Sequence, residues 1–87
     1  MTRFLVEAYT PRSVEIAEVE ARARRLAEAG AEVKYVRAIF VPEDELCLHL
    51  LDAASPEAAS DLVRRVGISP DRIVEARTMT NDDKEES

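Results

Sequence analysis

Apolar residues recur along this chain at two spacings, one of two residues and one of three to four, and the two alternate in a fixed order. Arg3 to Tyr9 alternates, with Phe4, Val6 and Ala8 on one face and Leu5, Glu7 and Tyr9 on the other. Thr10-Pro11 breaks that run, and a helical stripe follows at Ile16, Val19, Ala23, Leu26 and Ala27. Ser13 is the predicted N-cap of this helix and Gly30 its left-handed stop. Glu32 to Val41 is rich in β-branched and aromatic residues and reads as a second strand. Pro42-Glu43-Asp44-Glu45 is too short for anything but a hairpin turn into a third strand, Leu46 to Leu51. Ser55-Pro56-Glu57 then opens a second helix with a serine cap and a proline in the first turn. Its stripe is Ala59, Leu62, Val63 and Val66, Gly67 closes it, and Arg72 to Arg77 is a last short strand.

The order β-α-β-β-α-β in so short a chain predicts an α+β class, ferredoxin-like sandwich. It has a four-stranded antiparallel sheet in the order 4-1-3-2, with both helices on one face. The first and third strands are then central. The faces expected under the helices are Phe4/Val6/Ala8 and Leu46/Leu48/Leu50. The opposite face has no cover from this chain. It is expected to carry Leu5, Glu7 and Tyr9 with Cys47, His49 and Leu51, and with Ile73, Glu75 and Arg77. For the second strand, the set Tyr35/Arg37/Ile39 is favoured over Val36/Ala38/Phe40, because it buries Phe40 and keeps Arg37 out of the core.

An uncovered face bearing Leu5, Ile39, Leu51 and Ile73 is too apolar to be left in water, and a homodimer joined sheet to sheet about a two-fold axis is the expected cover. Its polar members, Glu7, Tyr9, Arg37, His49 and Glu75, are the candidate binding residues. Glu7, His49 and Glu75 fall on three adjacent strands of that face. A histidine beside carboxylates can hold a divalent metal or move a proton, so His49 and Glu7 are the candidate metal ligands. The chain has one histidine and no pair at ligand spacing, so a hydrogen-bonded histidine in a dimer seam is the plainer reading. Cys47 reads as a small buried hydrophobe. No glycine-rich phosphate loop, Cys-x-x-Cys pair or Gly-x-Ser-x-Gly elbow occurs.

Composition narrows the partners. The net charge is −6, of which Asn81 to Ser87 supplies half. The remaining body is mildly acidic and does not attract phosphate backbones, so no nucleic-acid partner is expected. Residues 1–78 are expected to form the domain and residues 79–87 a disordered acidic tail, whose end has nothing apolar to bury. No basic-then-apolar leader opens the chain and no apolar run approaches a membrane span. The expected location is therefore the cytoplasm, with no membrane partner, and a single cysteine suits that reducing compartment.

Several blocks together resemble a known family. They are Arg3-Phe4-Leu5-Val6-Glu7, Val33-x-Tyr35-Val36-Arg37-Ala38, Phe40-Val41-Pro42-Glu43-Asp44-Glu45, Cys47-Leu48, Ala53-Ala54-Ser55-Pro56-Glu57-Ala58 and Gly67-x-x-x-Pro70-x-x-Ile73-Val74-Glu75. In order and spacing they resemble a bacterial family of small uncharacterised ferredoxin-like domains, related in architecture to dimeric α+β barrels. The resemblance implies the fold and the dimer, and it spans nearly everything but the tail. One branch of that family is described as nickel-binding, which makes nickel or another divalent metal the one cofactor the resemblance implies. The histidines of that branch lie near its N-terminus and in its helices, where this chain has Val6-Glu7-Ala8 and no helical histidine.

Three functions follow from these residues. The first is a non-enzymatic homodimeric binding or interaction domain, with no catalytic residue assigned. The second is a divalent-metal binder using His49 and carboxylates. The third is a cofactor-free oxygenase or isomerase, which rests on fold analogy alone.

Overall fold

A computed structural model describes residues 1–29 and 33–79 of the chain. Gly30, Glu32 and the segment from Thr80 to Ser87 lie outside the described residues, and with them the predicted stop of the first helix and the acidic tail. The element order is β1 (Thr2–Tyr9), α1 (Ile16–Glu28), β2 (Val33–Val41), a single 3-10 turn (Pro42–Asp44), β3 (Leu46–Ala53), α2 (Pro56–Arg65) and β4 (Arg72–Glu75). The four strands form one antiparallel sheet in the order β2-β3-β1-β4, as the pattern of periodicities predicts.

Local chemistry sets the ends of these elements. Ser55 caps α2, its Oγ accepting the Ala58 N–H at 3.1 Å, and Pro56 fills the first turn, where no amide hydrogen is needed. The helix ends at Arg65 with Val66 as its C-cap, and Gly67 follows at φ 91°, in the left-handed region, while the Ile68 N–H reaches back to the Val63 carbonyl at 2.9 Å. That wrap tucks Ile68 into the core. The hairpin between β2 and β3 tightens through Glu45, a non-glycine residue at φ 51° whose amide donates to the Pro42 carbonyl. Glu45 also ties down the approach to α1, since its carbonyl accepts from Thr10 N at 2.8 Å and its Oε2 from Arg12 N at 2.9 Å.

α1 starts later than the sequence suggests. Ser13 is not its cap: the segment before it folds into a turn closed by Val14 N on the Pro11 carbonyl, and the cap position falls on Glu15, whose side chain makes no capping bond. The buried stripe of α1 is accordingly narrower than predicted. Val19 and Leu26 are buried, Ala23 is half-buried, and Ile16 and Ala27 face solvent.

The core lies between the helices and one sheet face. Phe4, Val6 and Ala8 of β1 are buried there as expected, with Ala59, Leu62 and Val63 of α2. The face of β3 is the reverse of the prediction. Cys47, His49, Leu51 and Ala53 point to the helices, while Leu46, Leu48 and Leu50 lie on the open side. Directly opposed residues of an antiparallel pair share a face, and β1 pairs Phe4 with Leu51, Val6 with His49 and Ala8 with Cys47. The small side chains Ala8, Cys47 and Ala53 leave room for the helices to sit close to the sheet. β4 is reversed as well: Ile73 pairs with Val6 and packs on the core, and Glu75 pairs with Phe4 on the helix side of the edge. Arg77 lies beyond the end of β4. In β2 a bulge at Val36 shifts the register between Tyr35 and Arg37. Tyr35 therefore opposes Leu51 on the helix side, while Arg37 and Ile39 fall on the open face and Phe40 on the helix side, as predicted.

Candidate functional site

The pairing scheme orders the open face into rows running across the strands. One end row is polar: Lys34, Asp52 and Arg3. Arg3 grips Asp52 with Nε on Oδ1 at 2.8 Å and a terminal nitrogen on Oδ2 at 3.2 Å, and reaches the Thr78 hydroxyl at 2.7 Å. This two-point grip holds the Asp52 carboxyl below the usual carboxylate range. The next row is Arg37, Leu50, Leu5 and Val74. Then come Ile39, Leu48, Glu7 and Arg72, with Arg72 3.4 Å from Glu7. The last row is Val41, Leu46 and Tyr9. Seven aliphatic side chains thus fill much of the three rows beyond the polar end, where the charges are Arg37 and Arg72 on the outer strands and Glu7 on β1.

Of the predicted binding residues, Glu7, Tyr9 and Arg37 do share the open face. His49 and Glu75 do not, because β3 and β4 are turned over. Two of the apolar residues expected there, Leu51 and Ile73, belong to the core side, and Leu46, Leu48, Leu50, Val41 and Val74, all half-buried, stand on the open face instead. The signal for those leucines was the alternation Leu46-x-Leu48-x-Leu50 itself, read onto the wrong side.

The sheet also separates the candidate metal ligands. Glu7 is on the open face, ion-paired to Arg72, and His49 is 2% exposed beneath the helices. No group of three or more His, Cys, Asp or Glu side chains among the described residues could hold a metal ion.

His49 has a site of its own. It lines a cavity of about 20 Å³ with Cys47, Thr10, Ser69 and the α1 residues Val19 and Arg22. Its Nδ1 is buried and has no hydrogen-bond partner among the described residues. Burial, reinforced by the Arg22 charge, lowers its pKa to about 4, so the ring is neutral at pH 7. Burial likewise raises the Cys47 thiol and keeps it protonated. Thr10 is buried too and donates its hydroxyl to the Ala8 carbonyl at 3.2 Å. Sequence reading missed Thr10, Arg22 and Ser69, which come from three separate segments and have no common spacing. A larger pocket of about 400 Å³ lies by Ala29, Val33 and α2, and none of the predicted site residues lines it.

No protein-family model matches the sequence, and no similar curated protein was found. The fold matches the crystal structure of SCO4226 from Streptomyces coelicolor A3(2), with a TM-score of 0.76 at 18% identity over 90% of this chain and 99% of that one. At that identity the likeness shows the fold. No described helix is long and apolar enough to cross a membrane.

Proposed function

We propose that this protein is a small binding domain that works as a homodimer, two copies stacking their open sheet faces. The observation that carries this reading is the block of Leu5, Leu46, Leu48, Leu50, Ile39, Val41 and Val74 on a face no helix covers. Isolated surface leucines need no explanation, but a contiguous apolar patch spanning three of the four rows of a sheet face marks an interface. A second copy fits it by size. Three strands of eight or nine residues make a face of roughly 25 by 14 Å, which the four-residue β4 widens over half its length. Once side-chain relief is counted, that comes near the roughly 600 Å² per partner at the lower end of specific protein–protein interfaces. A sheet face is also self-complementary about a two-fold axis, and two such faces pack about 10 Å apart. Association further suits a chain short enough to bury only about two-thirds of its unfolded surface by itself.

In this reading Glu7, Tyr9 and Arg37 line the seam, and binding chemistry resides where the polar ends of two copies meet. Sedimentation velocity tests it with Leu48→Glu, which puts an unpaired carboxylate in the centre of the patch without touching the helix-side core. Wild type should sediment as a dimer at micromolar concentration and the variant as a folded monomer. A wild-type monomer at those concentrations refutes the reading.

A further inference from the structure

The cavity under α1 has a feature the dimer does not use. β1 and its end, α1, β3 and the loop before β4 form its wall, and none of the lining residues is acidic. From α1 comes Arg22; from β3, Cys47, whose thiol stays protonated; from the end of β1, Thr10; from the loop before β4, Ser69. Across the strands, His49 faces Val6 and Ala38. The nearby carboxylates are committed elsewhere. Glu18 is half-exposed and accepts from Arg22 Nε at 3.1 Å, the Asp71 carboxylate accepts the Tyr9 amide, and Glu7 is on the other side of the sheet.

Proton uptake at such a histidine turns both ring nitrogens into donors. Nδ1 then has no acceptor among the described residues, and a second positive charge stands beside Arg22 in a buried space. A small anion answers both needs, because it accepts from Nδ1–H and cancels the added charge. A volume of about 20 Å³ admits one water-sized centre, not a phosphate or sulfate group.

We propose that the cavity is a proton-linked anion site, taking up one chloride-sized anion, or one oxygen of a small carboxylate, together with the proton that charges His49. Arg22 and the His49 imidazolium bind the anion, with Ser69 at the mouth. The site lies on the helix side of the sheet and does not depend on the dimer.

The chain's single histidine makes it a clean reporter. Its pKa is measured on the full-length protein by nitrogen NMR in sodium chloride, sodium formate and sodium methanesulfonate, at a matched ionic strength of about 0.15 M. Methanesulfonate has a bulkier, tetrahedral head than planar formate and much weaker acceptor oxygens, so it serves as the non-binding reference. Chloride or formate should raise the His49 pKa by at least about half a unit over methanesulfonate, roughly threefold in proton affinity. Arg22→Gln should abolish the difference. A rise in chloride alone assigns a monatomic anion, and a rise in formate alone a carboxylate. Equal pKa values in all three salts overturn the proposal, as does a chloride effect that survives unchanged in Arg22→Gln. As a second readout, chloride should raise the melting temperature of wild type at pH 5 relative to methanesulfonate but not that of His49→Gln; equal gains in both proteins also overturn it.

Discussion

Acidification should cost this fold more than its carboxylates alone account for, and His49 is the reason. The side chain is 2% exposed and its pKa falls from an ordinary 6.5 to about 4. A histidine whose folded pKa is depressed leaves the unfolded chain binding the extra proton between those values. Stability is therefore complete above pH 6.5 and drains away as pH falls toward 4. Between pH 7.5 and 4.5 the linkage amounts to about 2.5 kcal/mol, a large fraction of the 5–15 kcal/mol typical of a small domain. The assay is urea denaturation at both pH values in methanesulfonate buffer, comparing wild type with His49→Gln, which keeps hydrogen-bonding capacity but does not titrate. The carboxylate pairs, including Arg3–Asp52, whose carboxyl titrates below the usual range and so stays ionised at pH 4.5, contribute alike in both proteins and cancel in the comparison. Wild type should lose about 2.5 kcal/mol more than the variant over this range. Equal losses would refute the reasoning, because they would mean that His49 titrates normally and is not held neutral by burial.

Other expectations follow from the same geometry. Leu51→Ala removes a fully buried core side chain and should cost about 2–5 kcal/mol in urea unfolding, so Leu51 reports on the core rather than on the open face. Ser55→Ala deletes the α2 cap and should cost about 1 kcal/mol, visible as a lower melting temperature. Gly67→Ala places a side chain at φ 91° with open space around it, so any loss is backbone strain and should be about 1–2 kcal/mol. Cys47, buried and with a raised pKa, should react with a thiol reagent at neutral pH only as fast as the protein opens, a rate that added urea below the unfolding transition should increase.

The topology was legible because periodicity and punctuation are local: Pro11, Ser55-Pro56 and Gly67 mark boundaries that neighbouring residues enforce. The facing of the strands was not, and β3 shows why. Its sequence is apolar on both sides, so alternation alone cannot say which side meets the helices. The tie is broken by register with β1, which pairs Phe4 with Leu51, a long-range fact. Reading the leucines inward also ignored that small residues, Ala8, Cys47 and Ala53, are what let helices approach a sheet closely. The bulge at Val36 is likewise invisible to a strict period of two: Arg37 and Ile39 fall on the open face as read, but Tyr35 turns inward. The make-up of the open face was therefore read in outline. Glu7, Tyr9, Arg37 and Ile39 were placed correctly, and the turned strands moved His49 and Glu75 away. The cavity around His49 draws on Thr10, Arg22 and Ser69, whose convergence exists only once α1 and the loop after α2 are folded onto the sheet.

The central claim is that the leucine rows of two copies meet, and intermolecular NOEs in a mixed sample of labelled and unlabelled protein test it most directly. Contacts across the interface should join methyl groups of Leu5, Leu46, Leu48 and Leu50 in one copy to the same set in the other, with none to α1 or α2. Intermolecular contacts confined to the helices or to the β2 edge, or none at all at millimolar concentration, would contradict it.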